Sequence, residues 1–306
     1  MESPHEKYSV TQDQAMPQNV FDEILDNLSK VGSEILTKVG LVKYREGQDR
    51  SKRFKENGHK WSEDDYEHEG FQVVYCERLF ITRATIIHSV LSVFETNNWL
   101  PNLLYDTKTL KPRALHVASF GCGPGSDLVG FQAFYSSLKT MYKQALQTRK
   151  ETLNELRYSE ELKCVNEAKI EFIIGYDSAA GWSRYLEVLG YSFKHQVINS
   201  QFVAQMEPVD IVILSYFAHN ANFSRPLDPP QYLLTVDGYV IDSLRNWDIL
   251  MQKSKLIIVL DTKACKQQLS SLLTRRGFGI IPEISDDHGR EITALLWYRN
   301  DHNQWI

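Results

Sequence analysis

Paired cysteines are what this chain most visibly lacks. Its four, Cys76, Cys122, Cys164 and Cys265, stand singly, with no Cys-x-x-Cys among them. That spacing argues against a zinc centre and against a disulfide framework, and fits thiols in a reducing compartment. No metal is expected. Long apolar runs are missing too. None approaches the ~20 residues that cross a bilayer, so no membrane partner is expected. Met1 to Gln18 is polar, without the apolar stretch of a secretory signal. It reads as a disordered tail. The expected compartment is therefore cytoplasmic or nuclear. An excess of positive charge is absent as well. The net charge is −5, which weighs against a surface coated in phosphate contacts. One basic cluster stands out: Lys43, Arg45, Arg50, Lys52, Arg53, Lys55 and Lys60. It reads as a solvated loop or a nucleic-acid contact.

What is present falls into two rhythms. Residues 19–100 read as helical. Val20, Ile24 and Leu28 recur at four-residue spacing, and Val31, Ile35 and Val39 continue the stripe. The charged stretch Arg45 to Asp65 interrupts it. A second apolar helix is expected over Phe71 to Phe94, ended by Asn97 and Pro101. From Ala114 onward, short apolar runs alternate with amphipathic segments. The runs are Ala114–Ser119, Ile170–Gly175, Phe193–Ile198, Val209–Ser215 and Leu256–Leu260. Such runs, separated by helices, predict a parallel sheet covered on both faces. Gly279–Pro282 and Ile292–Tyr298 are too close together for a helical crossover, so they predict an antiparallel hairpin. The expected fold is α/β: an open, mostly parallel seven-stranded sheet with helices on both faces and a C-terminal antiparallel hairpin. A helical N-terminal extension precedes it. The expected divisions are a tail over 1–18, the extension over 19–105 and the α/β domain over 106–306.

The most specific segment runs from His116 to Asp127, His-Val-Ala-Ser-Phe-Gly-Cys-Gly-Pro-Gly-Ser-Asp. A strand enters glycines at alternate positions, Gly121, Gly123 and Gly125, and a helix begins near Ser126. Glycine permits the sharp turn and the close approach of a ligand. The helix N-terminus behind it carries a positive dipole end, and Ser126 or Asp127 is a candidate cap. The dinucleotide fingerprint is GxGxxG. Here the sixth position is Ser126, so the alternate-glycine form fits instead.

This segment resembles motif I of class I S-adenosylmethionine-dependent methyltransferases, an acidic residue, any residue, then GxGxG. The resemblance implies S-adenosyl-L-methionine as cofactor, passing over Gly121, Gly123 and Gly125. Ser119 stands where the family usually carries the acid that holds the cofactor's ammonium group, and Asp127 is the candidate to compensate. A fainter similarity joins the segment to eukaryotic ribosomal-RNA base methyltransferases. It implies RNA as acceptor, ahead of a small molecule or a protein. Neutralising Arg50, Lys52, Arg53 and Lys55 should then weaken RNA binding.

Further candidates follow along the sheet. Asp177 ends the run Ile170 to Tyr176, where a carboxylate can accept both hydroxyls of a ribose or cap the next helix. The gap from Gly125 to Asp177 far exceeds the usual ~20 residues. Phe131 to Lys169 within it reads as an extended first helix plus an added one. After the third strand, the resemblance implies a polar residue at the adenine edge and an apolar one on its face, with Gln201 or Ser200 and Phe202 as the candidates. Ser215 ends the fourth strand, followed by Tyr216, Phe217, Ala218, His219 and Asn220. Tyr216 is a candidate to stack on a flat acceptor, and His219 a candidate general base. The Asn/Asp-Pro-Pro-Tyr device of amino-group methyltransferases is absent there. Two other readings stay open: a catalytically silent cofactor-binding scaffold, and an NAD-dependent oxidoreductase, though no Tyr-x-x-x-Lys pair supports the latter.

Overall fold

The computed structural model describes residues 18–57, 61–94, 101–215, 239–262, 274, 277–285 and 291–298. Tyr216 and His219 lie outside the described residues, as does nearly all of the tail read over 1–18.

Helix α1 spans Gln18–Asn57, α2 Glu63–Glu67 and α3 Glu69–Phe94. The charged stretch after Arg45 does not interrupt the helix as expected. It continues α1 beyond a kink at Gly40, whose φ of 80° departs from the helix. The signal was lost there because a mostly exposed helix needs no apolar stripe. Arg50 accounts for part of the charge: its Nη1 lies 2.8 Å from Asp65 Oδ1. Asp65 in turn closes a reciprocal cap with Ser62 at the start of α2.

A short α4 (Pro101–Leu104) and a two-stranded ribbon, β1 (Tyr105–Asp106) with β2 (Lys111–Pro112), lead into the main sheet. Its elements are β3 (Ala114–Phe120), α5 (Ser126–Thr148), α6 (Glu155–Glu167), β4 (Lys169–Asp177), α7 (Ser183–Val188), β5 (Ser192–His195), α8 (Ser200–Gln205), β6 (Ile211–Ser215), α9 (Tyr239–Lys253), β7 (Leu256–Thr262), β8 (Gly279–Ser285) and β9 (Glu291–Tyr298). The sheet order is β5-β4-β3-β6-β7-β9-β8. β9 runs antiparallel to both its neighbours, and the other pairings are parallel. Six strands therefore point one way and β9 the other. The long gap after Gly125 is α5 followed by α6, the extended and added helices that the sequence predicted. The third strand ends at His195, short of the run to Ile198.

The apolar runs are continuous because successive residues feed two cores. Leu115, Val117, Ile211, Ile213, Leu256 and Ile258 join one with α1, α3, α5 and α6. Ala118, Phe120, Val212, Leu214, Ile257 and Val259 join the other with Val203 of α8 and Trp247 of α9. Along β6 every residue is buried.

Helix α3 is gripped by close crossings at two heights. A Cβ on Gly70 would lie 2.0 Å from the carbonyl oxygen of Lys43, and one on Gly47 2.2 Å from the carbonyl carbon of Gly70. Further along α3, a Cβ on Gly130 of α5 would lie 2.2 Å from the carbonyl oxygen of Ala84. Backbone cannot swing aside as a side chain can. Gly70→Ala is expected to cost about 3 kcal/mol in urea unfolding, the upper range for overpacking. Alanine at exposed Ser33 should change stability by less than about 0.5 kcal/mol. Equal stabilities would mean that α1 and α3 do not meet at these glycines.

Candidate functional site

The chain reverses its order of strand addition between β3 and β6, and ligands of open α/β sheets bind beyond the carboxyl ends of strands at such a point. β3 delivers the glycine loop there and β6 delivers Ser215. Phe120 pairs with Leu214, so Ser215 lies beside the start of the loop. It is 7% exposed.

Gly121, Gly123 and Gly125 all have positive φ, 66°, 51° and 89°, a region that side chains rarely enter. The loop closes on itself. The N–H groups of Gly121 and Cys122 donate to the carbonyl of Tyr176, at 2.9 and 3.2 Å, and that of Gly125 donates to Cys122 at 3.0 Å. The N–H of Gly123 donates to Asp177 Oδ2 at 2.9 Å. Helix α5 starts without a side-chain cap. Gly125 holds the cap position, and Asp127 lies in the first turn.

Asp177 ties two segments together. Its Oδ1 accepts from Ala179 N–H at 2.9 Å, so it shapes the turn after β4 while holding the loop after β3. Burial pushes its carboxyl up to about 6, against the pull of these backbone donors, and nearby Glu67 pushes the same way. Its oxygens keep lone pairs for a further donor.

Ser119 and Asp127 come together. The Ser119 hydroxyl donates to Asp127 Oδ2, and Leu128 N–H donates to Oδ1 at 3.0 Å. Asp127 is 1% exposed. Burial raises its carboxyl to about 6, partly opposed by the Ser119 hydrogen bond, by Leu128 N–H and by Arg83. The hydroxyl at the end of β3 is thus paired with a carboxylate from the first turn of α5.

Two candidates are less engaged. Gln201 is exposed at the start of α8, a helix capped by the Asn199 side chain. Ser200 Oγ accepts from Asn246 at 3.0 Å. Phe202 packs on Tyr176, with ring centroids 4.9 Å apart, and on Phe120 at 5.5 Å. Trp182 is core, its ring tilted against those of Tyr75 and Tyr185.

The residues that sequence reading missed come from the N-terminal helices. Glu67 accepts from Ala180 N–H at 2.9 Å. Arg184 lies 3.2 Å from Glu69. A Cβ on Gly181 would strike Gln72 at 2.2 Å. The turn after Asp177 is therefore pinned under α2 and α3. The Tyr75 hydroxyl lies 4.0 Å from where a Cβ on Gly123 would sit, and Arg83 donates to that hydroxyl. The aromatic spacing Trp61, Tyr66, Phe71, Tyr75 is the signal that could have drawn attention to this wall. Those rings meet one another edge-on or tilted.

These features fit a ligand that is cationic where it meets α5. A dinucleotide pyrophosphate needs free loop N–H groups and a positive helix end. Here the amides of Gly121, Cys122, Gly123 and Gly125 are engaged within the fold, and a buried carboxylate occupies the first turn. Among the described residues, no three His, Cys, Asp or Glu side chains gather to hold a metal, and no helix is long and apolar enough to cross a membrane.

The chain matches no protein-family model and no curated protein. Its likeness is to solved structures and is one of fold. A candidate class I S-adenosylmethionine-dependent methyltransferase from Listeria monocytogenes aligns over 93% of this chain and 89% of its own, at 11% identity and TM-score 0.44. A SAM-dependent methyltransferase from Aquifex aeolicus aligns over 68% and 97%, at 11% identity and TM-score 0.32. The 16S rRNA methylase RmtB aligns over 92% and 99%, at 12% identity and TM-score 0.28.

Proposed function

We infer that this protein is an S-adenosyl-L-methionine-dependent methyltransferase. The observation that carries the reading is the buried Ser119–Asp127 pair beside a glycine loop whose amides are already engaged. That arrangement favours the cofactor's ammonium group over a phosphate. Asp177 would hold the ribose, Gly121, Gly123 and Gly125 would let the cofactor lie against the backbone, and Gln201 and Ser215 would border it. When bound, the cofactor supplies a methyl group already activated on a sulfonium. The protein's task is then mainly to hold the acceptor in line. Tyr216 follows Ser215 directly in sequence and His219 comes shortly after it, so they are assigned to the acceptor side. Tyr216 would stack on a flat acceptor and His219 would take its proton.

Calorimetric titration with S-adenosylhomocysteine, run in parallel with NAD, tests the cofactor. Binding of the first alone, in the micromolar range or tighter (about −8 kcal/mol), is the expected outcome. Binding of NAD, or of neither, would reject the reading.

For the acceptor we favour an RNA base. Lys43, Arg45 and Lys52 are exposed along α1. Lys43 also lines an open cleft of about 460 Å³ with Glu67, Gly181 and Arg184, beside the turn after Asp177. Arg50 is committed to Asp65, so the informative variant is Lys43→Gln, Arg45→Gln and Lys52→Gln together. It should weaken single-stranded RNA binding and flatten the salt dependence by about two charges' worth, roughly 0.7 per phosphate contact. An unchanged salt slope would turn the search towards small-molecule or protein acceptors.

A further inference from the structure

We propose that the cavity between α1 and α3 is a second binding site, shaped for an uncharged, phenol-sized ring whose one polar group meets the Tyr185 hydroxyl. It shares no lining residue with the glycine loop, so it is separate from the cofactor site inferred above.

The cavity follows from side-chain size along α1. Leu28 and Leu36 keep the apolar stripe, but Ser29, Gly32 and Ser33 between them are small. Val73 and Cys76 of α3 and Tyr185 of α7 complete the lining, and about 140 Å³ is left among these groups. Interiors rarely leave voids larger than a water molecule, and an empty one costs stability. An engineered apolar cavity of about 150 Å³ stays dry and takes benzene, so this volume fits one six-membered ring. Leu25 at the edge is 40% exposed, whereas Leu28 and Val73 are buried. The cavity thus opens towards the surface along α1. Its buried polar groups are the Tyr185 hydroxyl and the Cys76 thiol. Tyr185 is 0% exposed, and among the described residues no nitrogen or oxygen pairs with its hydroxyl. The Cys76 thiol is the neighbour that acts on it, and a thiol is a weak partner. A buried hydroxyl without a good partner is costly, and a ligand oxygen in the cavity would supply one. Burial pushes both the hydroxyl and the thiol up, so both line the cavity uncharged. Glu77 at the rim is exposed, and its Oε2 accepts from the Tyr44 hydroxyl at 2.7 Å. The apolar lining disfavours any charge, and that carboxylate disfavours an anion most.

The full chain would be titrated with phenol, toluene and benzoate. Phenol and toluene should each bind with a Kd of about 1 mM or below, a strength open to about seven ligand atoms in an apolar site. Benzoate should not bind. Tyr185→Phe removes only the hydroxyl, so it should keep toluene binding and weaken phenol about tenfold. Cys76→Met extends a side chain into the cavity and should abolish binding of both rings. Failure of the wild type to bind either ring, or benzoate bound as tightly as phenol, would overturn the site. Phenol bound by Cys76→Met as by the wild type would put the binding elsewhere and overturn it too. Equal losses of phenol and toluene in Tyr185→Phe would reject the hydroxyl as the group that recognises the ligand. Should Cys76→Met not fold, the split between phenol and toluene in Tyr185→Phe decides alone.

Discussion

Asp177→Ala is expected to weaken S-adenosylhomocysteine binding by about 100-fold or more. A carboxylate accepting from both ribose hydroxyls is worth about 1.5–3 kcal/mol per hydrogen bond, and about 3 kcal/mol corresponds to roughly 100-fold in affinity. Asp177 also accepts from Gly123 and Ala179. Alanine leaves both amides without that acceptor, so part of the loss would come from a loosened loop. The 2′-deoxy form of the ligand separates the contributions. Wild type should bind it about tenfold more weakly than the ribose form, and Asp177→Ala should not distinguish the two. If the variant still discriminates as wild type does, Asp177 serves only to tie the loop after β3 to the turn after β4. Glu67 belongs in the same experiment, because it accepts from Ala180 and its charge acts on Asp177. Glu67→Gln should keep the ribose discrimination while changing overall affinity by a few-fold.

The sheet was legible because burial on both faces leaves a mark that needs no partner to be recognised. Ile211 to Ser215 and Leu256 to Leu260 are apolar at nearly every position since odd and even residues enter different cores. The reversed last strand could be read from a connection too short for a helix. The glycine loop was legible because positive φ at Gly121, Gly123 and Gly125 restricts residue type locally. The charged half of α1 was not, since its helix is maintained by the Arg50–Asp65 bridge and the Gly47–Gly70 crossing, neither of which has a periodic signature. The wall of the site was hidden for a related reason. Tyr75 precedes the loop by several elements, and only the packing of α3 against α1 and α5 brings its hydroxyl towards Gly123. Asp127 was the intermediate case. Its position in the first turn was readable, but its pairing with Ser119 depends on where β3 ends relative to α5.

Asp127→Asn is expected to make the ligand-free protein more stable at neutral pH and poorer at binding. The folded protein raises this carboxyl from 3.8 to about 6, so the native state holds the proton more tightly than the unfolded chain does. Its stabilising contribution is complete below about pH 4 and is lost as pH rises through 6. At pH 7.5 the ionised, 1%-exposed carboxylate therefore costs up to roughly 3 kcal/mol, at about 1.4 kcal/mol per pKa unit. Asparagine removes that cost, and its amide can still meet Ser119 Oγ. Urea unfolding should find the variant about 2 kcal/mol more stable at pH 7.5, with the difference shrinking towards pH 4. Asp177 is raised in the same direction, so the variant keeps part of the slope. Arg83 is a cation whose charge acts on Asp127, and Tyr191 and Cys122 are further groups on which the Asp127 charge acts. A cationic ligand selects the ionised form. Wild-type affinity for S-adenosylhomocysteine should fall as pH drops below 6, whereas the variant should bind about tenfold more weakly at pH 7.5 and lose less on acidification. A variant that is less stable at pH 7.5, yet binds normally, would mean that Asp127 serves to cap α5 rather than to receive a charge. The opposite pair of results would mean that the fold keeps a destabilising carboxylate beneath the glycine loop because a positive group comes to rest there.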